Sequence, residues 1–168
     1  DALPIFVEDD ATADATLLQK IADWCQRYTP LVALDAPDGL LLDISGCAHL
    51  FGDEAALLDD LVRRMTGFGF AVRAAIAGTA GAAWATARFG THDIVASGAE
   101  RAALGPLRLA ALRVPDETVS VMARLGLKRI GDIIDMPRAP LAARFGPSLL
   151  RQLDRALGTE REPIEPRL

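Results

Sequence analysis

Apolar residues recur at helical intervals between Asp14 and Tyr28, where Leu17, Leu18, Ile21, Trp24, Cys25 and Tyr28 form one stripe among polar positions. Asp14 stands near its start and Pro30 just past its end, so the pattern predicts a bounded amphipathic helix. The rhythm then changes. Two short apolar runs, LVALD and LLLDIS, flank the turn-forming APDG and predict a β-hairpin or two neighbouring strands. After GCAHLFG a second helix is expected from Asp53 to Met65, burying Leu57, Leu58, Leu61, Val62 and Met65, with acidic residues at its positive end. AVRAAIA reads as a third strand, and the small residues of GTAGAAWATARFG suit a helix lying close against a sheet. Helices alternating with strands predict an α/β layer in this part.

From Ala99 the pattern is different in kind. Leu, Ala and Arg dominate, punctuated by Pro106, Pro115, Pro137, Pro140 and Pro147, each of which can start or stop a helix. Short helices joined by tight turns are expected, with a change of architecture near Gly90 to Ala96. Within this part, ARLGLKRIGDII predicts a helix ending at Gly126, two basic residues, and a new helix after Ile130. Such a turn presents backbone N–H groups outward, a geometry suited to phosphate.

Composition narrows the class. With 168 residues, 51% of them hydrophobic, and a mean hydropathy of +0.21, the chain can bury one medium core or two small ones. Its longest apolar runs are too short for a membrane span and no signal-peptide pattern opens it, so no membrane association and a cytoplasmic location are expected. Cys25 and Cys47 lack metal-ligand spacing and read as reduced, largely buried thiols. His49 and His92 are isolated, and the GTAG at Gly78 to Gly81 lacks the Lys-Ser/Thr of a phosphate loop. Trp24 and Trp84 read as packing residues.

The net charge of −5 conceals an asymmetry. Up to Gly90 there are 6 basic and 13 acidic residues, a net of −7, whereas Thr91 onward has 12 against 10, a net of +2. This is either ordinary surface variation or an acidic part joined to one that can face phosphates. Composition alone does not choose.

Taken in order, YTPLVALDAPDGLLLDISGCAHLFG, AAIAGTAGAAWATARFG, LGLKRIGDI and ARFGPSLLRQLDRALG resemble the palm and thumb of the Y-family translesion DNA polymerases. The likeness is closest to the ImuB-type branch, polymerase-like proteins of bacterial SOS mutagenesis cassettes. DGLLLDISGCAHLFG and LAARFGP are its most specific pieces. The resemblance implies an α+β fold: a partial palm of mainly antiparallel sheet with helices and the end of the fingers over residues 1–92, then a small all-helical helix-hairpin-helix thumb over 93–168. By the same analogy the chain starts after most of the fingers, and the little finger is absent.

Two-metal nucleotidyl transfer needs carboxylates that hold two divalent cations roughly 4 Å apart. Active relatives have a motif like SIDEAFLDVTG, whose adjacent Asp and Glu are metal ligands. In the present chain Asp38 matches the Asp, Gly39 stands where the Glu would be, and Asp43 matches a later Asp that is not a ligand. The third ligand of the family would lie upstream of Asp1. A GIATNKLLAKMAS-like stretch supplies two lysines near the incoming triphosphate in active members, and Ala80 and Trp84 occupy those positions. Losing such charge-stabilising groups costs on the order of 100-fold each in rate. The resemblance with these departures implies a degenerate polymerase fold with no catalytic residues, no metal site beyond the vestigial position Asp38, and no cofactor. Read alone, Asp35, Asp38 and Asp43 are also ordinary turn and strand-end residues facing water.

In the thumb, the family's GVG turn, whose amides grip a DNA phosphate, reads Arg113, Val114, Pro115. Proline has no N–H to give, and Asp116 and Glu117 repel phosphate, though they suit a helix start. Lys128 and Arg129 keep the second turn basic. Arg113, Lys128 and Arg129 are therefore the expected DNA-backbone contacts, with solvated surface cations as the equal alternative for the last two. The implied function is a non-catalytic adaptor of SOS mutagenesis and translesion repair that binds DNA weakly. Its implied partners are an error-prone DnaE-type polymerase, the sliding clamp and a RecA-like accessory protein. The alternative is an active Y-family template-directed DNA polymerase, which would need Mg; a weaker one is a helix-hairpin-helix DNA-binding module beside an unrelated α/β partner.

Overall fold

A computed structural model describes residues 10–166. Among them it places seven α-helices and one two-stranded antiparallel sheet, the α+β class expected from the resemblance. The chain divides into two compact units, one comprising Asp1–Cys47 with Ile164–Leu168 and the other Ala48–Pro163.

In the first unit, helix α1 spans Ala11–Cys25. It begins earlier than the pattern predicts because Asp10, not Asp14, is the cap: its carboxylate accepts from the N–H of Thr12 at 3.1 Å and of Ala13 at 3.0 Å. The helix stops at Cys25, and Tyr28 is buried in the following turn, where its ring meets Trp24 edge-on at 5.7 Å. Ala22 and Cys25 pack on Val32, with Ile21, Trp24, Leu40 and Leu42 half-buried around them. Val32 belongs to strand β1 (Val32–Asp35), which pairs with β2 (Gly39–Leu42) so that Val32 faces Leu42 and Asp35 faces Gly39. The predicted hairpin is present, and its turn contains a cis Ala36–Pro37 peptide. Thr29 ties the hairpin's base by donating from its hydroxyl to the carbonyl of Asp43 at 2.6 Å.

In the second unit, α2 (Glu54–Gly67) is capped by Asp53 and buries Leu57, Leu58 and Met65, while Leu61 and Val62, also expected inside, are only half-buried. The expected third strand is not formed. AVRAAIA runs without ladder pairing except for one parallel bridge, Ile76 to Ile94, where Ile76 N–H donates to Asp93 and Val95 N–H to Ile76, each at 2.8 Å. A strand needs a partner of comparable length, and Asp93–Val95, confined between Gly90 and the left-handed Gly98, is too short to be one. The α/β layer is corrected accordingly.

Helix α3 (Ala80–Phe89) does not lie against a sheet either; it packs on α7 (Pro147–Leu157). Its small residues explain the approach, since a Cβ added at Gly81 would stand 3.0 Å from the α-carbon of Ala156. Thr79 caps α3 and also donates from its hydroxyl to the carbonyl of Ala156 at 2.8 Å. Around this pair, α4 (Glu100–Leu104), α5 (Asp116–Arg124) and α6 (Arg138–Phe145) enclose a core that includes Leu104, Leu112, Met122, Ile133, Leu149 and Leu153. The helix α5 ends at Arg124, before the left-handed Gly126, and the helix expected after Ile130 is a single 3-10 turn, Ile130–Asp132, with α6 starting only after Pro137. Proline there supplies the start that Ile130 does not.

Candidate functional site

The carboxylate turn comes first. Asp35 ends β1, Asp38 lies exposed in the turn, and Asp43 follows β2. The backbone pairing of Asp35 with Gly39 brings the Asp35 side chain over the Gly39 α-carbon: a Cβ built on Gly39 would stand 2.9 Å from the Asp35 carbonyl oxygen and 2.9 Å from its Oδ2. The space where a glutamate side chain would begin is thus occupied by another carboxylate. Asp43 turns away to its own chain, accepting from the N–H of Ser45 at 2.9 Å, and hydrogen bonds from the Ser45 side chain and backbone hold its carboxyl below the usual carboxylate range. Among the described residues no group of three or more His, Cys, Asp or Glu is arranged to hold a metal ion. A divalent pair of the kind the fold implies does not fit these residues.

Where the lysine positions would be, Trp84 is half-buried on α3, with the Arg88 guanidinium 4.7 Å from its ring centroid and Phe89 at 6.1 Å. This is packing, as the sequence suggests.

The basic turns are built differently. The segments before the 3-10 turns Leu109–Leu112 and Ile130–Asp132 lie antiparallel, with Leu109 N–H donating to Lys128 at 3.2 Å and Ile130 N–H to Leu107 at 2.9 Å. A third bond, from Gly131 N–H to Gly105 at 2.9 Å, continues the pairing, and the buried Leu109 and Ile130 pin both segments to the core. Lys128 and Arg129 are exposed here, but their backbone amides are engaged: both donate to Oδ2 of Asp132, each at 2.8 Å. Those bonds, Arg129 first and then Lys128, hold the Asp132 carboxyl below its ordinary range. The amides expected to face phosphate therefore already face a carboxylate.

Arg113 is placed elsewhere. It adopts a left-handed backbone (φ 57°, ψ 35°) at the end of Leu109–Leu112, a conformation that favours glycine. Its guanidinium donates to Oε2 of Glu162 at 2.6 Å and approaches Gln152, with both charged side chains less than one-fifth exposed. Pro115 caps α5, and Asp116 and Glu117 fill its first turn. The structure thus brings Lys128 and Arg129 together and gives Arg113 its own acidic partner.

No family model matches the chain. It is 48% identical over 161 residues to Protein ImuB from each of two strains of Caulobacter vibrioides, which covers 95% of this chain and 35% of that protein. The chain is an ImuB-like relative of the Y-family polymerases. It spans about a third of the length of the curated ImuB proteins it matches. The crystal structure of DinB from Sulfolobus solfataricus has the same fold, at a TM-score of 0.74 and 16% identity over 96% of this chain and 50% of that one. Within this ImuB-like frame, sequence reasoning missed Arg108, which stands directly opposite Arg129, and the capping role of Asp132. A signal existed for Arg108: Leu104-Gly105 followed by Arg108-Leu109 is echoed by Leu125-Gly126 followed by Arg129-Ile130.

Proposed function

We propose that this chain is part of a non-catalytic, polymerase-like adaptor in DNA-damage mutagenesis, with residues 1–92 corresponding to a partial palm and 93–168 to a helix-hairpin-helix thumb. The compact units divide after Cys47, so this naming is a family correspondence and not a packing boundary. The adaptor would scaffold an error-prone DnaE-type polymerase with the sliding clamp and a RecA-like accessory protein in the SOS response, in the cytoplasm, without a metal cofactor. Among the described residues no helix is long and apolar enough to cross a membrane. DNA would be held weakly through its backbone by Lys128 and Arg129, with Arg113 contributing only if it leaves Glu162.

The observation that carries the non-catalytic reading is the Asp35 carboxylate over Gly39. An acid pair cannot be completed by a residue with no side chain, and its neighbour fills the space. Isothermal titration with magnesium or manganese and a deoxynucleoside triphosphate tests it. The expected outcome is no nucleotide-dependent metal binding; two-site binding that disappears in Asp38→Ala would restore the template-directed polymerase instead.

A further inference from the structure

The antiparallel pairing of the two basic turns has a specific geometry. Its hydrogen bonds run from Leu109 to Lys128 and from Ile130 to Leu107, so they flank the pair Arg108 and Arg129 without joining it. Opposite residues of this kind stand closest in any antiparallel ladder, with α-carbons about 4.5 Å apart and side chains on the same face. Two like charges directly opposite one another oppose folding. Both residues are exposed, and among the described residues neither is in an ion pair, although the Arg129 charge helps to lower the Asp132 carboxyl. Elsewhere in the unit Arg101, Arg113, Arg138, Arg151 and Arg155 are each ion-paired, while the exposed Arg124 and Arg144 are single cations with no arginine set opposite them in a backbone bridge. The nearest acid, Asp132, spends its Oδ2 on backbone amides. Arg129 is further positioned by donating from Nη1 to the carbonyl of Pro106 at 3.0 Å, within the segment that carries Arg108.

Two exposed arginines set directly opposite one another by backbone bonds, beside a carboxylate already engaged by two amides, are arranged for an external anion. Because Asp132 closes the amides, that anion must be met by the side chains, and guanidinium forks match the oxygens of a phosphate. We infer that Arg108 and Arg129 together clamp one phosphodiester of a nucleic-acid backbone, with Arg108 as the unassigned half of the contact. The inference rests on the proposed DNA-binding role of the second turn.

The test is fluorescence anisotropy of the 168-residue chain on labelled primer–template DNA across several salt concentrations, comparing wild type with Arg108→Gln, Arg129→Gln, the double variant, Arg108→Lys and the control Arg124→Gln. Each single clamp variant should weaken binding about three- to tenfold at low salt, and the double variant should lose less than the product of the two, because both side chains serve one phosphate. Arg108→Lys should fall between wild type and Arg108→Gln, and Arg124→Gln should bind as wild type. Without DNA, Arg108→Gln should melt no lower than wild type, since it removes a repulsion. Equal displacement of the DNA by millimolar inorganic phosphate or pyrophosphate would assign the clamp to a free anion and overturn the nucleic-acid assignment. Unchanged binding in Arg108→Gln, with clear loss in a Lys128→Glu/Arg129→Glu variant, would overturn the clamp and leave the DNA reading standing. Loss in none of the variants, or no binding by wild type, would overturn both.

Discussion

At the hairpin turn, Asp35 lies over Gly39, Asp38 is exposed in the turn, and Asp43 beyond β2 accepts from the N–H of Ser45. At the paired turns, Arg108, Lys128 and Arg129 are gathered by backbone pairing, with buried Leu109 and Ile130 beneath them. In the proposed correspondence both turns fall where an active polymerase would meet phosphate, one through metal ions and one directly. On the proposed reading the difference lies in how a site decays. A metal pair needs every ligand at once, so one glycine and one displaced carboxylate would remove it. Contact with a DNA backbone is a sum of separate charges, so on the proposed reading it would survive the loss of an amide at Pro115 and the closing of two more by Asp132.

The largest expected effect comes from removing the support of the basic turns. Ile130→Ala, at a fully buried position, should cost about 2–5 kcal/mol in chemical denaturation and should abolish the pairing that aligns Arg108 with Arg129. Equal stability and unchanged DNA binding would show that the turns do not depend on this anchor.

Next is the opposite turn. Gly39→Glu should destabilise the chain by about 1–3 kcal/mol, because its Cβ meets Asp35, and it should not create metal binding. Adding Asp35→Ala should recover only part of the loss, because the Asp35 carbonyl oxygen, also 2.9 Å from that Cβ, remains. Tight manganese binding in Gly39→Glu would mean that the turn is one substitution from a working site, and the comparison would fail.

A smaller effect is expected at Asp132. Its folded-state pKa is depressed by the amides of Arg129 and Lys128, so its contribution is present above the unfolded value of 3.8 and is lost as pH falls through the lower folded value. Asp132→Asn should therefore be less stable than wild type near neutral pH, and the two should converge as the pH drops below 3.8. A difference that persists unchanged in acid would mean that charge at Asp132 is not what holds the turn.

The smallest effect concerns the hairpin unit. Burial pushes the Cys25 thiol up to about 11, against a weaker opposing pull from Arg27. The neutral thiol is favoured by folding, so this contribution is complete below the unfolded value of 9.0 and is lost as pH rises toward 11. At pH 8 a thiol reagent should modify the half-buried Cys47 first and reach Cys25 only on unfolding. Equal rates for both would show that the hairpin core opens easily.

Much of this was legible from the pattern of residues, and the failures have physical causes. The helix over Ala11–Cys25 and the hairpin followed from periodicity and turn residues, but the helix start was misplaced because two aspartates near it suit a cap and only geometry shows that Asp10 is used. AVRAAIA has the composition of a strand, yet pairing depends on a partner that composition does not supply. Gly39 was identified from the motif, whereas the carboxylate over it depends on hairpin register. Lys128 and Arg129 were visible as adjacent charges, while Arg108 joins them only through a contact between distant turns. Asp132 carried no signal in the sequence, because its role depends on accepting from the amides of Lys128 and Arg129 in the folded turn.

One measurement addresses both turns together: anisotropy titration of primer–template DNA with the chain, with and without magnesium and the next correct deoxynucleoside triphosphate. The account predicts a Kd of roughly 10⁻⁴ to 10⁻⁶ M at physiological salt, weakening steeply as salt rises and unchanged by metal and nucleotide. Tightening that requires both metal and the correct nucleotide, and that is lost in Asp38→Ala, would contradict it.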